Sequence, residues 1–172
     1  MNMSFEKIEL SALHAEPFNM IGRRWMLVSA EKEGRVNTMT ASWGGMGVMW
    51  GKDVAFVFLR PQRFTKEFVD AAGRFTLSFY GEEQRQNLAY LGRVSGRDED
   101  KIGKVGFEVC DFDGAPAFAQ AETVLVCRTL YTQPLDPAGF APGCDADERW
   151  YPEKDYHTMY VAEIEAVYQK TE

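Results

Sequence analysis

Val54-Ala-Phe-Val-Phe-Leu59 runs without a break into Arg60-Pro-Gln-Arg-Phe-Thr65, and the reading of this junction decides the fold. The first half is β-branched and aromatic, the composition of a strand. The second half turns polar at once, and Pro61 fixes the backbone where the strand has to stop. Thr65 then reads as the N-cap of a helix that Gly73 closes. Further strands read outward from here at Trp25-Met-Leu-Val-Ser29, Val36 to Thr40, Phe75-Thr-Leu-Ser-Phe79, Thr123-Val-Leu-Val-Cys127 and Thr158 to Ile164. Glu33-Gly34 fits a hairpin turn between the first two. A second helix is expected from about Glu82 to Leu91, stopping at Gly92. Both helices fall between strands, yet they are too few and too short for regular βαβ alternation. The expectation is a mainly β chain, an antiparallel barrel with helices packed on its outside. Gln133 to Asp155, rich in Pro, Gly and Asp, reads as an excursion or lid.

Composition narrows the function. At 172 residues and 45% hydrophobic, the chain suits one domain, residues 1–172, with a substantial core. A net charge of −7 and a pI near 5.0 argue against nucleic acid, which is bound by a broad basic face. No stretch approaches the roughly 20 apolar residues that span a bilayer, so no membrane partner is expected. The start, Met1-Asn-Met-Ser-Phe-Glu-Lys7, has no secretion signature, and a cytoplasmic protein is expected. Cys110, Cys127 and Cys144 are widely spaced and form no Cys-x-x-Cys pair. They read as free thiols, with no metal site.

Familiar catalytic motifs fail. From Gly45, the dinucleotide pattern requires glycine at 50, where Trp50 stands, and a strand follows in place of a helix. A phosphate loop fails because Gly47 lies one residue too close to Gly51-Lys52, with Asp53 in place of Ser or Thr. Gly44 to Gly51 therefore reads as a loop whose glycines let the backbone approach something flat. No Gly-x-Ser-x-Gly elbow exists. Asp98, Glu99 and Asp100 read as an acidic helix start.

What survives is three polar stretches, each at the end of an apolar run: Asn37 to Trp43, Arg60 to Thr65 and Ser95-Gly-Arg-Asp-Glu-Asp-Lys101. They carry four cations (Arg60, Arg63, Arg97, Lys101) and the hydroxyls of Thr38, Thr40, Ser42, Thr65 and Ser95, with Ser78 in reserve. Guanidinium forks, hydroxyls and free N–H groups at a helix start are what hold a phosphate monoester. Taken singly, Arg60 and Arg63 read as surface charge, and Arg97 and Lys101 as partners of Asp98 and Asp100. Taken together they form a local anion site. Amides of Asn37 to Trp43 would bond the edge of a flat heteroaromatic ring, with Met39, Trp43 and Met49 against its face; Trp50 reads as core.

With their order and spacing, these three stretches and Asp155-Tyr-His-Thr-Met-Tyr-Val-Ala-Glu-Ile164 resemble the flavin reductase-like, FMN-binding split-barrel family, most closely its flavoredoxin branch. The likeness runs from about Phe18 to Val167. It implies an antiparallel Greek-key split β-barrel, a homodimer, and FMN near the subunit boundary. By the match, Asn37, Thr38, Met39, Thr40, Ala41, Ser42 and Trp43 would follow the ring and ribityl chain. Arg60, Arg63 and Thr65 would address the phosphate, with Ser95, Gly96, Arg97 and Lys101 closing around it. His157, in the final strand, would stand near the flavin as the catalytic candidate, or be a satisfied core histidine. The resemblance implies electron transfer from NAD(P)H, or from a redox-protein donor, through FMN to an acceptor. An electron carrier without nicotinamide activity and a non-catalytic flavin-binding module stay open as alternatives.

Overall fold

A computed structural model describes residues 4–171. Met1 to Met3 lie outside the described residues, and so does that part of the stretch read as lacking a secretion signature. In chain order the elements are β1 (Phe5–Ile8), β2 (Met26–Lys32), β3 (Arg35–Ala41), β4 (Gly44–Met49), β5 (Lys52–Leu59), α1 (Phe64–Ala72) and β6 (Arg74–Phe79). There follow α2 (Arg85–Arg93), α3 (Lys101–Val105), β7 (Val109–Phe112), β8 (Ala115–Phe118), β9 (Thr123–Pro134), α4 (Ala146–Trp150) and β10 (Thr158–Lys170).

The main sheet is antiparallel, in the order β3-β2-β6-β9-β10-β5-β4, with β1 also pairing β10. Its two outermost strands, β3 and β4, are consecutive in the chain and joined only by Ser42 and Trp43. Two residues cannot cross the width of an open sheet, so the sheet must curl until its edges meet at that link. Elsewhere the edges stay apart. The result is the split β-barrel with flanking helices that the sequence resemblance implied.

Alternation along the strands divides the apolar side chains between two clusters. Val28, Leu77 and Leu125 pack with Phe68 and Val69 of α1. Leu27, Val124 and Val126 point the other way, to Leu88 and Leu91 of α2 and to Phe118. Strand β3 is thus gripped from both sides. Asn37 bonds Thr65 on α1, while Thr40 bonds the Leu88 carbonyl on α2.

Several boundaries differ from the sequence expectation. Glu33 and Gly34 do form the hairpin turn, both with positive φ (52° and 75°). Trp25 also has positive φ, and β2 begins only at Met26. Arg63 occupies the N-cap position of the first helix without a side-chain capping bond, and Thr65 lies inside the helix, buried as the acceptor of the Asn37 amide at 2.9 Å. Gly92 does not stop the second helix, which runs through Arg93; a Cβ there would sit 3.0 Å from Thr40, so Gly92 is where helix and strand touch. Asp100 caps α3 by accepting from the Gly103 N–H at 3.0 Å.

Gly44 to Gly51 is not a loop. It forms β4 and its turn, and the flat object its glycines approach is the Phe56 ring, 3.6 Å from a Cβ built on Gly47. Trp50 is not core: it is 58% exposed at that turn, edge-on to Tyr131. At Gly44 a Cβ would lie 2.5 Å from the Phe56 carbonyl oxygen. Gly44→Ala is therefore expected to destabilise the fold by about 2–3 kcal/mol, read as a lowered urea midpoint at unchanged slope.

Candidate functional site

The start of α1 and the end of α2 meet over β3, and the loop after α2 folds back to α3. This places the three polar stretches of the sequence around two adjoining cavities that share Met39 and Arg63.

The smaller, about 130 Å³, is lined by Asn37, Thr65, Ser95 and Gly96 together with Arg63 and Lys101. Arg93, Gln62, Phe64 and Val94 complete it. Among the described residues three cations and no carboxylate line this space, on a chain with more acids than bases. Lys101 is only 3% exposed, and its ammonium donates to the carbonyls of Leu91 and Val94 at 2.7 and 2.8 Å. Burial, and then the charge of Arg63, pulls its pKa down to about 8. Burial also lowers the pKa of Arg63, whose guanidinium donates to the Gly92 carbonyl at 2.8 Å. Lys101 is buried and Arg63 half-buried, and two such cations that oppose each other are poorly neutralised by protein. An anion between them would relieve both costs. The first turn of α1 adds backbone N–H groups without intrahelical acceptors, at the positive end of its dipole.

Gly96 shows how closely this cavity is built. A Cβ there would overlap the Asn37 side-chain oxygen, whose amide holds Thr65. Gly96→Ala is expected to displace Asn37, lower the thermal midpoint and weaken phosphate-bearing ligands at least about tenfold by titration.

The larger cavity, about 310 Å³, continues along the exit of β3 past Met39, Thr40, Ala41, Ser42 and Trp43. Phe58, Arg60, Gly92, Trp150 and His157 form the remainder. Trp43 is packed edge-on against Trp150, with ring centroids 5.0 Å apart, and its ring lies 5.0 Å from that of His157. Arg60, expected at the phosphate, lines only the larger cavity, where it is anchored on the excursion, donating to Asp155 at 2.5 Å and to the Trp150 carbonyl at 2.9 Å. His157 lies one residue ahead of β10, its carbonyl accepting from the Leu135 N–H at 2.9 Å just beyond the last β9–β10 pair. The excursion itself begins after Pro134, since β9 outlasts the expected start, and carries α4.

Three residues given to the ligand by the sequence line neither cavity: Met49, expected against the ring, ends β4 and is 36% exposed, and Thr38 and Arg97 are also elsewhere. Thr38 is buried against β2, sharing a hydrogen bond with Ser29 and donating to the Val28 carbonyl. Arg97 stacks over Phe64 at 4.4 Å and pairs with Glu67. Ser78, the reserve hydroxyl, is spent on Tyr80 in the interior. Arg93 and Trp150 escaped the sequence reading: each sits in a segment with no motif, and only packing brings it to the site.

The chain matches the model of the flavin reductase like domain over residues 18–172. It belongs to that family. No curated protein matches it significantly. Among solved structures, an FMN-binding domain of a flavin reductase-like enzyme from Shewanella baltica is similar at TM-score 0.70 and 20% identity, covering 98% of this chain and 78% of that one. A flavoredoxin from Methanosarcina acetivorans is similar at TM-score 0.67 and 24% identity over 85% of this chain and 68% of that one. An FMN-binding protein from Thermus thermophilus, with bound p-hydroxybenzaldehyde, is similar at TM-score 0.66 and 25% identity, covering 84% and 70%.

FMN needs a seat for a dianionic phosphate joined to one for a flat, largely apolar ring. The cationic cavity, with no carboxylate among the described residues and running into a cleft walled by Trp43, Phe58 and Trp150, fits both parts.

Proposed function

We propose that the two cavities hold FMN, phosphate in the smaller and ring in the larger, and that the protein is an FMN-dependent oxidoreductase. It would pass electrons from NAD(P)H or a redox partner to an acceptor. The observation that carries this reading is the junction of the two cavities at Met39 and Arg63. Relatives described as FMN-binding support it.

Arg63, Arg93 and Lys101 would bind the phosphate, with Ser95 and the Gly96 backbone as hydrogen-bond partners. The exit of β3, from Thr40 to Trp43, would orient the ring, and Trp150 against Trp43 would keep water from one wall of the cleft. Bound FMN would supply the redox chemistry, which no side chain of this site performs alone.

The test begins with the colour of the purified protein. Anaerobic addition of NADH or NADPH to the FMN-loaded protein is expected to bleach the flavin absorption band, and a subsequent acceptor to restore it. Bleaching only by dithionite or a redox protein would favour a carrier without nicotinamide activity, and failure to bind FMN would overturn the proposal.

We further place the protein in solution as a homodimer. Val48, 74% exposed, Met49 and Trp50 project from the β4–β5 hairpin on an edge strand, an apolar surface suited to a second copy. Light scattering coupled to gel filtration checks this, and a monomer at micromolar concentration overturns it. Three unpaired thiols suit a reducing compartment such as the cytoplasm. Among the described residues no helix is long and apolar enough to cross a membrane.

A further inference from the structure

His157 is held by one nitrogen and open at the other. Its Nδ1 lies 2.8 Å from the Tyr151 hydroxyl. Among the described residues its Nε2 has no protein partner and is not sealed in the interior, and the residue lines the larger cavity. Tyr151 is buried, 5% exposed, and Nδ1 is the one hydrogen-bond partner of its hydroxyl among the described residues.

A buried phenol has a single proton to donate, and here it has one place to put it. If Tyr151 donates, Nδ1 accepts and carries no hydrogen. The neutral imidazole then bears its proton on Nε2. Burial raises the pKa of Tyr151, against the pull of Arg60, so the phenol keeps its proton. The ring is fixed in place by Tyr156 at 4.8 Å and Phe140 at 6.2 Å, with the Arg60 guanidinium 5.1 Å from its centre.

We propose that Tyr151 is a positioning residue: it fixes His157 as the Nε2–H tautomer, and this N–H is the hydrogen-bond donor for a carbonyl oxygen on a second flat molecule that enters the cleft beside the bound flavin. The ligand half rests on the flavin reading of the cleft; the tautomer half does not. Arg60 and Asp155 are the charged groups that act on His157. Burial, reinforced by Arg60 and opposed by Asp155, holds its pKa down to about 4. The donor therefore stays neutral at ordinary pH, which suits an aldehyde, enone, quinone or amide oxygen better than a carboxylate.

The experiment is long-range proton–nitrogen NMR of the full ¹⁵N-labelled chain, with and without FMN. The chain has two histidines, so a His14→Gln variant assigns both. Wild type is expected to show a protonated Nε2 and a bare Nδ1 for His157, unchanged until the pH falls toward about 4. Tyr151→Phe should mix the tautomers and weaken binding of p-hydroxybenzaldehyde to the FMN-loaded protein about fivefold. A protonated Nδ1 in wild type, or an unchanged tautomer in Tyr151→Phe, overturns the positioning role; should that variant fail to fold, the wild-type spectrum decides. Equal aldehyde affinity in Tyr151→Phe and wild type overturns the donor role. Absence of FMN binding would instead overturn the flavin reading, and the tautomer result would still decide the role of Tyr151.

Discussion

Arg63→Met is expected to weaken FMN binding by about 10- to 100-fold while leaving the fold intact, the range for losing one charge-assisted bond in a partly dehydrated site. Arg63, with Met39, is common to both cavities, so its guanidinium stands where phosphate and ring would join. Its protein bond is to the Gly92 carbonyl at the end of α2, which leaves further N–H groups of the fork for an anion. Methionine keeps the length and much of the packing, and removing a half-buried charge offsets part of the lost hydrogen bond. Isothermal titration with FMN, beside a thermal melt of the same variant, separates binding from folding. Unchanged affinity would remove the phosphate from this cavity.

Lys101→Met is expected to cost both stability and binding. Its ammonium closes the carbonyls of Leu91 and Val94, and methionine would leave both without a partner. That loss, reduced by no longer burying a charge, comes to about 2 kcal/mol in denaturant unfolding. The same lysine sets a pH dependence. In the ligand-free protein its pKa is depressed from 10.5 to about 8, so between these values the unfolded chain holds the proton that the fold has released. This group therefore adds stability as pH rises from about 8 toward 10.5, and costs stability below. An anion acts the other way, favouring the protonated lysine. Binding above pH 8 must take up a proton, and FMN affinity is expected to fall several-fold by about pH 9.5. The slope should vanish in Lys101→Met. A slope that persists would assign the titration to another group.

Much of the fold was legible from local chemistry. β-Branched and aromatic runs marked β2, β3, β5, β6, β9 and β10, because alternating side chains need two apolar clusters to face. β4 was hidden because its glycines lack the side chains that identify a strand, and its partner Phe56 covers them from the neighbouring strand. The ends of the helices were misplaced at Thr65 and Gly92 for a related reason. Both residues owe their position to β3, through Asn37 and Thr40, and local capping preferences carry no information about a contact across the fold.

The order and kinds of polar residues at strand exits were enough to propose an anion site beside a ring site, since charge and hydrogen-bonding capacity are properties of the residues themselves. Which of those residues share a cavity is a matter of distance between segments far apart in the chain. Only the curled sheet, with its edges drawn together at Ser42 and Trp43, brings Arg93 and Lys101 to Arg63 and sends Thr38 inward and Arg97 to Glu67. The Tyr151–His157 pair is of the same kind. Six residues apart, the two meet because Arg60, from another strand end, holds the excursion against the barrel.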